Sequence, residues 1–132
     1  MHALPLRLTP GQDLHAAVES VLSAHGVSAA YVIQGIGSLS VAQLRLAGAS
    51  QSTELRGDLE ILSLAGSVSP DGAHLHIAVA DAQGKVLGGH ARAGCLVRTT
   101  VEVLLMLLPE YHFARENDAV TGFRELVIRP II

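Results

Sequence analysis

Apolar positions change period along this chain. Leu14, Val18, Val21 and Leu22 fall at i, i+4, i+7 and i+8, one stripe of an α-helix. Thr9-Pro10-Gly11-Gln12 predicts its start, with Thr9 as cap, Pro10 at the first helical position and Gln12 completing a capping box. Gly26 after His25 predicts its end. His15 and His25 lie off the stripe and are expected in solvent.

Beyond Gly26 the pattern shortens toward alternation. Tyr31 to Gln34 predicts a short strand, Gly35 to Ser38 a bend or bulge, Val41 to Leu46 a strand and Ala47 to Ser52 a turn. Leu59 to Val68 predicts a strand, followed by the turn Ser69-Pro70-Asp71-Gly72. Ala73 to Ala80 and Lys85 to Ala91 read as a hairpin about Asp81 to Gly84. Cys95 to Leu108 carries the β-branched Val97, Thr99, Thr100, Val101 and Val103, which favours strand, although Leu104, Leu105 and Leu108 also suit a helix. Tyr111 to Glu116 and Phe123 to Ile128 are strands about a turn at Asn117 to Gly122. The whole predicts one α+β domain over residues 1–132, mainly antiparallel sheet with one or two helices.

Composition narrows the class. The 132 residues are 49% hydrophobic and 16% charged, with mean hydropathy +0.41, which excludes disorder and coiled coil. So small and apolar a chain is expected to bury part of its surface against copies of itself. The net charge is −3 and no Lys/Arg run occurs, so the basic stripe of an unaided duplex binder is missing. A single cysteine, Cys95, allows no internal disulfide and suits a reducing compartment. The first residues show no signal-peptide pattern, and the most apolar window, Val101 to Leu108, is too short for a membrane span. A soluble cytoplasmic protein is expected.

The candidate chemistry lies in the hairpin. His74 and His76 are two apart on a strand and share a face, with Leu75, Ile77 and Val79 on the other. A three-residue loop Ala82-Gln83-Gly84 would end in a left-handed glycine and bring His90 opposite His76. A two-residue loop at Ala82-Gln83 would turn His90 away, and neither residue favours the positive φ that loop needs. Three imidazoles with small neighbours (Ala78, Ala80 and Gly88) and no thiolate suit zinc or a similar borderline divalent ion, with one coordination position left open. Such an ion would polarise a carbonyl or activate water. The bland alternative is that the rings are hydrogen-bonded strand residues or line a subunit interface.

Glu60 alternates with Leu62 and Leu64, so it is either a general base beside the ion or the partner of an arginine across a subunit boundary. Glu102 is the second candidate acid or base. It shares a strand face with Arg98, and the two either form a mutual or intersubunit ion pair or, through Arg98, hold an anionic substrate. Ser63 and Ser67 lack a nucleophile elbow, Cys95 reads as a buried inert thiol, and His112 as an interface or surface residue.

Glu60 to Ser67, Asp71 to His76, Asp81 to Gly84, Val86 to His90 and Gly94 to Val103 together resemble the PPC domain, conserved in plants and prokaryotes. The likeness runs from Leu6 to Ile128. It implies an antiparallel sheet packed on helix and a homotrimer. In plants the domain follows an AT-hook and mediates self-association and contacts with transcription factors. Bacterial single-domain members are often labelled DNA-binding by that analogy, yet this chain has no Arg-Gly-Arg-Pro hook. Prokaryotic members resemble metal-containing proteins, and the fold looks like that of the zinc enzyme acetolactate decarboxylase; the resemblance thus supports His74, His76 and His90 as ligands. A metal-binding trimer acting on a small molecule, a DNA-associated or regulatory scaffold, and a trimer with adventitious metal all remain open.

Overall fold

The computed structural model describes residues 2–132. Its elements are β1 (His2–Leu8), α1 (Leu14–His25), β2 (Ala30–Arg45), β3 (Thr53–Ser69), β4 (Gly72–Ala80), β5 (Val86–Ala91), β6 (Leu96–Leu107), β7 (Tyr111–Asn117) and β8 (Arg124–Pro130). Six strands form one antiparallel sheet in the order β1-β6-β2-β3-β4-β5, and β7 and β8 form a separate hairpin. The sheet curls back on itself, because β5 also pairs with the end of β2 through Leu44–Ala91 and Arg45–His90.

Among the described residues one helix forms, and its stripe residues Leu14, Val18, Val21 and Leu22 are all buried. At about 1.5–3 kcal/mol for each large side chain removed from water, an upper estimate, this stripe anchors α1 to the sheet. The helix starts four residues later than its sequence suggests. Asp13 is the cap and accepts the Ala16 N–H at 3.1 Å. Its other oxygen accepts the Gly94 N–H at 2.7 Å, a bond from the β5–β6 connection that fixes Asp13 in place. Thr9 and Gln12 do bond each other, but within the turn before the helix. His15 is half-buried rather than solvated, with Nε2 3.3 Å from the Ala73 carbonyl and Nδ1 3.3 Å from Glu19. His25 is exposed, as expected.

Tyr31 to Gln34 and Val41 to Arg45 belong to one long strand, β2, with register shifts rather than a break between them, and Leu46 lies just beyond its end. Cys95 to Leu108 resolves as strand β6. The edge strand β1 is the element the pattern missed, because Pro5 interrupts its alternation; an edge is where a strand tolerates proline. Cys95 is fully buried, and burial pushes its thiol pKa up, as an inert thiol requires.

A bulge changes the reading of Glu60. The β3–β4 register shifts between Ile61 and Ser63, so Glu60 and Leu62 face solvent while Leu64 is buried. The Gln34 side chain stands in for the missing ladder partner, its Oε1 accepting the Leu64 N–H at 2.9 Å. Within the chain Glu60 is therefore exposed beside Leu62, not an acid on the inward apolar face.

Candidate metal centre

Leu75, Ile77 and Val79 enter the core at 1–3% exposure, which turns His74 and His76 of β4 to the opposite face. The hairpin loop then decides where His90 points. The Gly84 N–H donates to the Asp81 carbonyl and the Asp81 N–H to the Lys85 carbonyl, both at 2.9 Å. Gly84 takes φ 80°, a conformation glycine reaches without strain. Asp81 Oδ1 accepts the Gln83 and Lys85 N–H groups from inside the loop. This three-residue loop sets His76 directly opposite His90. The pairing of His90 with Arg45 on β2 fixes that register a second time.

The three rings converge. Their centroids lie 5.0 Å (His74–His76), 4.9 Å (His74–His90) and 4.8 Å (His76–His90) apart. One nitrogen from each lies within 4.8 Å of the others. A tetrahedral zinc with its usual bond lengths wants these nitrogens about 3.3 Å apart, a difference small rotations of the rings can close. The donor set, three imidazoles without thiolate, fits zinc or a similar borderline divalent ion. Burial, then Arg115, His90 and His76, hold the His74 pKa below its usual 6.5, with Glu125 opposing. Burial, then Arg45, His76 and Arg92, lower that of His90. Both rings are therefore neutral near pH 7, the form that binds metal.

A cavity of 760 Å³ adjoins the rings. Besides the histidines, Arg45, Arg115, Arg124, Asp71, Glu125 and Phe123 line it. Arg45 donates from Nη1 to the Ala49 carbonyl at 3.3 Å and from Nη2 to His90 Nδ1 at 2.8 Å. Arg115 reaches across from β7, its Nη2 donating to Ser67 Oγ at 2.7 Å, and Ser67 is the strand partner of His74. Arg124 of β8 donates to the Arg115 carbonyl at 2.7 Å.

The other sequence candidates stand apart from this cavity. Glu60 is opposite Ala80, four residues along β4 from His76, or about 13 Å at strand spacing. Glu102 lies on β6 opposite Arg7 and Ile36 and lines a different depression. Arg98 pairs with Asp58 at 3.1 Å, both side chains largely exposed, and not with Glu102. The arginines and Glu125 escaped the sequence reading because they come from the far end of β2 and from the β7–β8 hairpin. No local spacing connects those segments to His74 or His90.

The family model of the Plants and Prokaryotes Conserved (PCC) domain matches residues 1–109. A curated relative, the "Bifunctional protein GlmU" of Synechococcus sp. (strain JA-2-3B'a(2-13)), is 50% identical over 127 residues, 96% of this chain. This chain spans only about a fifth of that relative's length. A hypothetical protein from Salmonella has a solved structure with TM-score 0.95 and 38% identity, over 99% of this chain and 95% of that one. A protein from Archaeoglobus fulgidus described as metal-containing matches with TM-score 0.81 and 28% identity, over 96% of this chain and 94% of its own.

Proposed function

Because the chain belongs to the Plants and Prokaryotes Conserved domain family, we propose that it holds a divalent metal ion, zinc by its donor set, on His74, His76 and His90 and presents it to a small molecule in the adjoining cavity. The observation that carries this reading is the convergence of three imidazoles on one point. The metal-containing Archaeoglobus relative supports it. When bound, such an ion supplies Lewis acidity toward a ligand oxygen. The protein's own residues would hold the rings on a stiff hairpin and line the cavity with charge. The carboxylates beside the rings are Asp71 and Glu125, so an acid–base partner for the ligand is better sought there than at Glu60 or Glu102.

The homotrimer belongs to the same proposal. Tyr31, Ile33 and Ile36 of β2, Leu62 of β3 and Leu104 of β6 are 40–50% exposed on three neighbouring strands. This apolar surface suits burial between copies. Among the described residues no helix is long and apolar enough to cross a membrane; the single buried thiol favours the cytoplasm.

The test is metal analysis of purified protein and of His76→Ala, with sedimentation to fix the oligomeric state. About one ion per wild-type chain and under a tenth of that in the variant are expected. Equal metal in both would remove the site, and a monomer at micromolar concentration would remove the trimer.

A further inference from the structure

We infer that the cavity beside the histidines takes a small oxyanion, a carboxylate or a phosphate monoester, gripped by Arg45, Arg115 and Arg124. This deepens the metal-site reading and rests on the same cavity. Among the described residues these three guanidinium groups form no ion pair, whereas Arg56, Arg98 and Arg129 each pair with a surface carboxylate. The bonds they make go to neutral acceptors: a carbonyl and an imidazole for Arg45, a hydroxyl for Arg115, a carbonyl for Arg124. A guanidinium carries five N–H donors, so most of theirs remain open.

The local charge has the opposite sign to the whole. The chain carries −3, yet three arginines outnumber Asp71 and Glu125 around this cavity. Asp71 is also engaged, its Oδ2 accepting the Arg115 backbone N–H at 2.9 Å. A divalent ion held by the histidines would add to that excess positive charge. A concave site lined by one sign of charge concentrates ligands of the other. Guanidinium forks match carboxylate and phosphate oxygens in pairs.

Volume and origin fit a ligand site as well. The 760 Å³ cavity lies within the span of roughly 300–1,000 Å³ usual for small-molecule sites. Phe123, 73% exposed, supplies an apolar wall. Arg115 and Arg124 stand on a hairpin beyond the 109 residues the family model matches. Two of the three arginines thus come from a part of the chain separate from the one that carries the metal ligands and Arg45.

Calorimetry with three probes tests the assignment: pyruvate, methyl phosphate and the neutral pyruvamide, each titrated into zinc-loaded and metal-free protein. At least one anion should bind at least tenfold more tightly than pyruvamide, and the stronger of the two identifies the oxyanion. Arg124→Gln, at an exposed position, and Arg45→Met should each weaken that anion about fivefold or more while the fold is retained. Pyruvamide binding as tightly as both anions, or unchanged anion affinity in both variants, would overturn the inference. Arginine-dependent anion binding by a protein that takes up no zinc would sustain it while removing the metal site. Zinc uptake without anion binding would do the reverse.

Discussion

Arg45→Met is expected to tighten zinc binding about tenfold. Arg45 Nη2 lies 2.8 Å from His90 Nδ1. A guanidinium has no lone pair, so it must be the donor and Nδ1 the acceptor, which puts the ring proton on Nε2. In that state neither nitrogen of His90 is free for an ion. Coordination needs one nitrogen bare toward the metal and the other protonated, so loading breaks the arginine contact whichever nitrogen serves. A hydrogen bond to a charged group contributes about 1.5–3 kcal/mol. Both side chains are only partly buried, so the lower end applies, and about 1.4 kcal/mol is a factor of ten. Repulsion between the guanidinium and the ion has the same sign and adds to it. Methionine keeps much of the apolar stem while removing charge and donors. Competition against a chromophoric chelator at pH 7.5 measures the change. A folded variant that binds zinc equally or more weakly would refute the reasoning. The same substitution should loosen anion binding, so one residue is expected to move the two affinities in opposite directions.

Metal-free protein is expected to lose stability as pH falls through about 6.5. His74 and His90 have folded pKa values below 6.5, so the unfolded chain takes up protons first, and stability is full above that pH and declines toward the depressed folded values. Urea midpoints at pH 7.5 and 5.0 test this. A midpoint at pH 5.0 equal to or above that at pH 7.5 would contradict it, and His74→Asn with His90→Asn should flatten the difference. The lowered pKa values of Glu54 and Glu110 act only below about 4.5 and leave this window to the histidines. Gly66→Ala should destabilise by at least about 3 kcal/mol, since a Cβ there would lie 1.9 Å from the His74 carbonyl oxygen. At this chain length that is roughly a 10 °C drop in Tm, and a drop under 3 °C would show that β3 and β4 can part at little cost.

The histidine triad was legible in the sequence because its geometry is local. Loop length, the parity of a strand and the preference of Gly84 for positive φ suffice to face His90 toward His76. β6 was legible for a similar reason, in its run of β-branched residues. The helix start was not, since Thr9 and Asp13 are both capable caps and the choice falls to a long-range bond from Gly94. Glu60 misled because period-two reasoning assumes an unbroken ladder, and the extra residue after Ile61 inverts which side chains turn inward. The arginine wall lay further out of reach. Arg45 and Arg115 meet the histidines only when β2 returns to β5 and the terminal hairpin folds over β3.

The sheet's two outermost strands also constrain how molecules can meet. β5 is short, and its final residues are already bonded to β2. β1 has Pro5 at its middle, where no N–H is available. Neither margin offers a long row of unused amides to template a strand from a neighbour, the route by which sheets grow into fibrils. Any association between copies through this sheet would therefore run through side chains rather than backbone, and a single surface substitution would be enough to disrupt it.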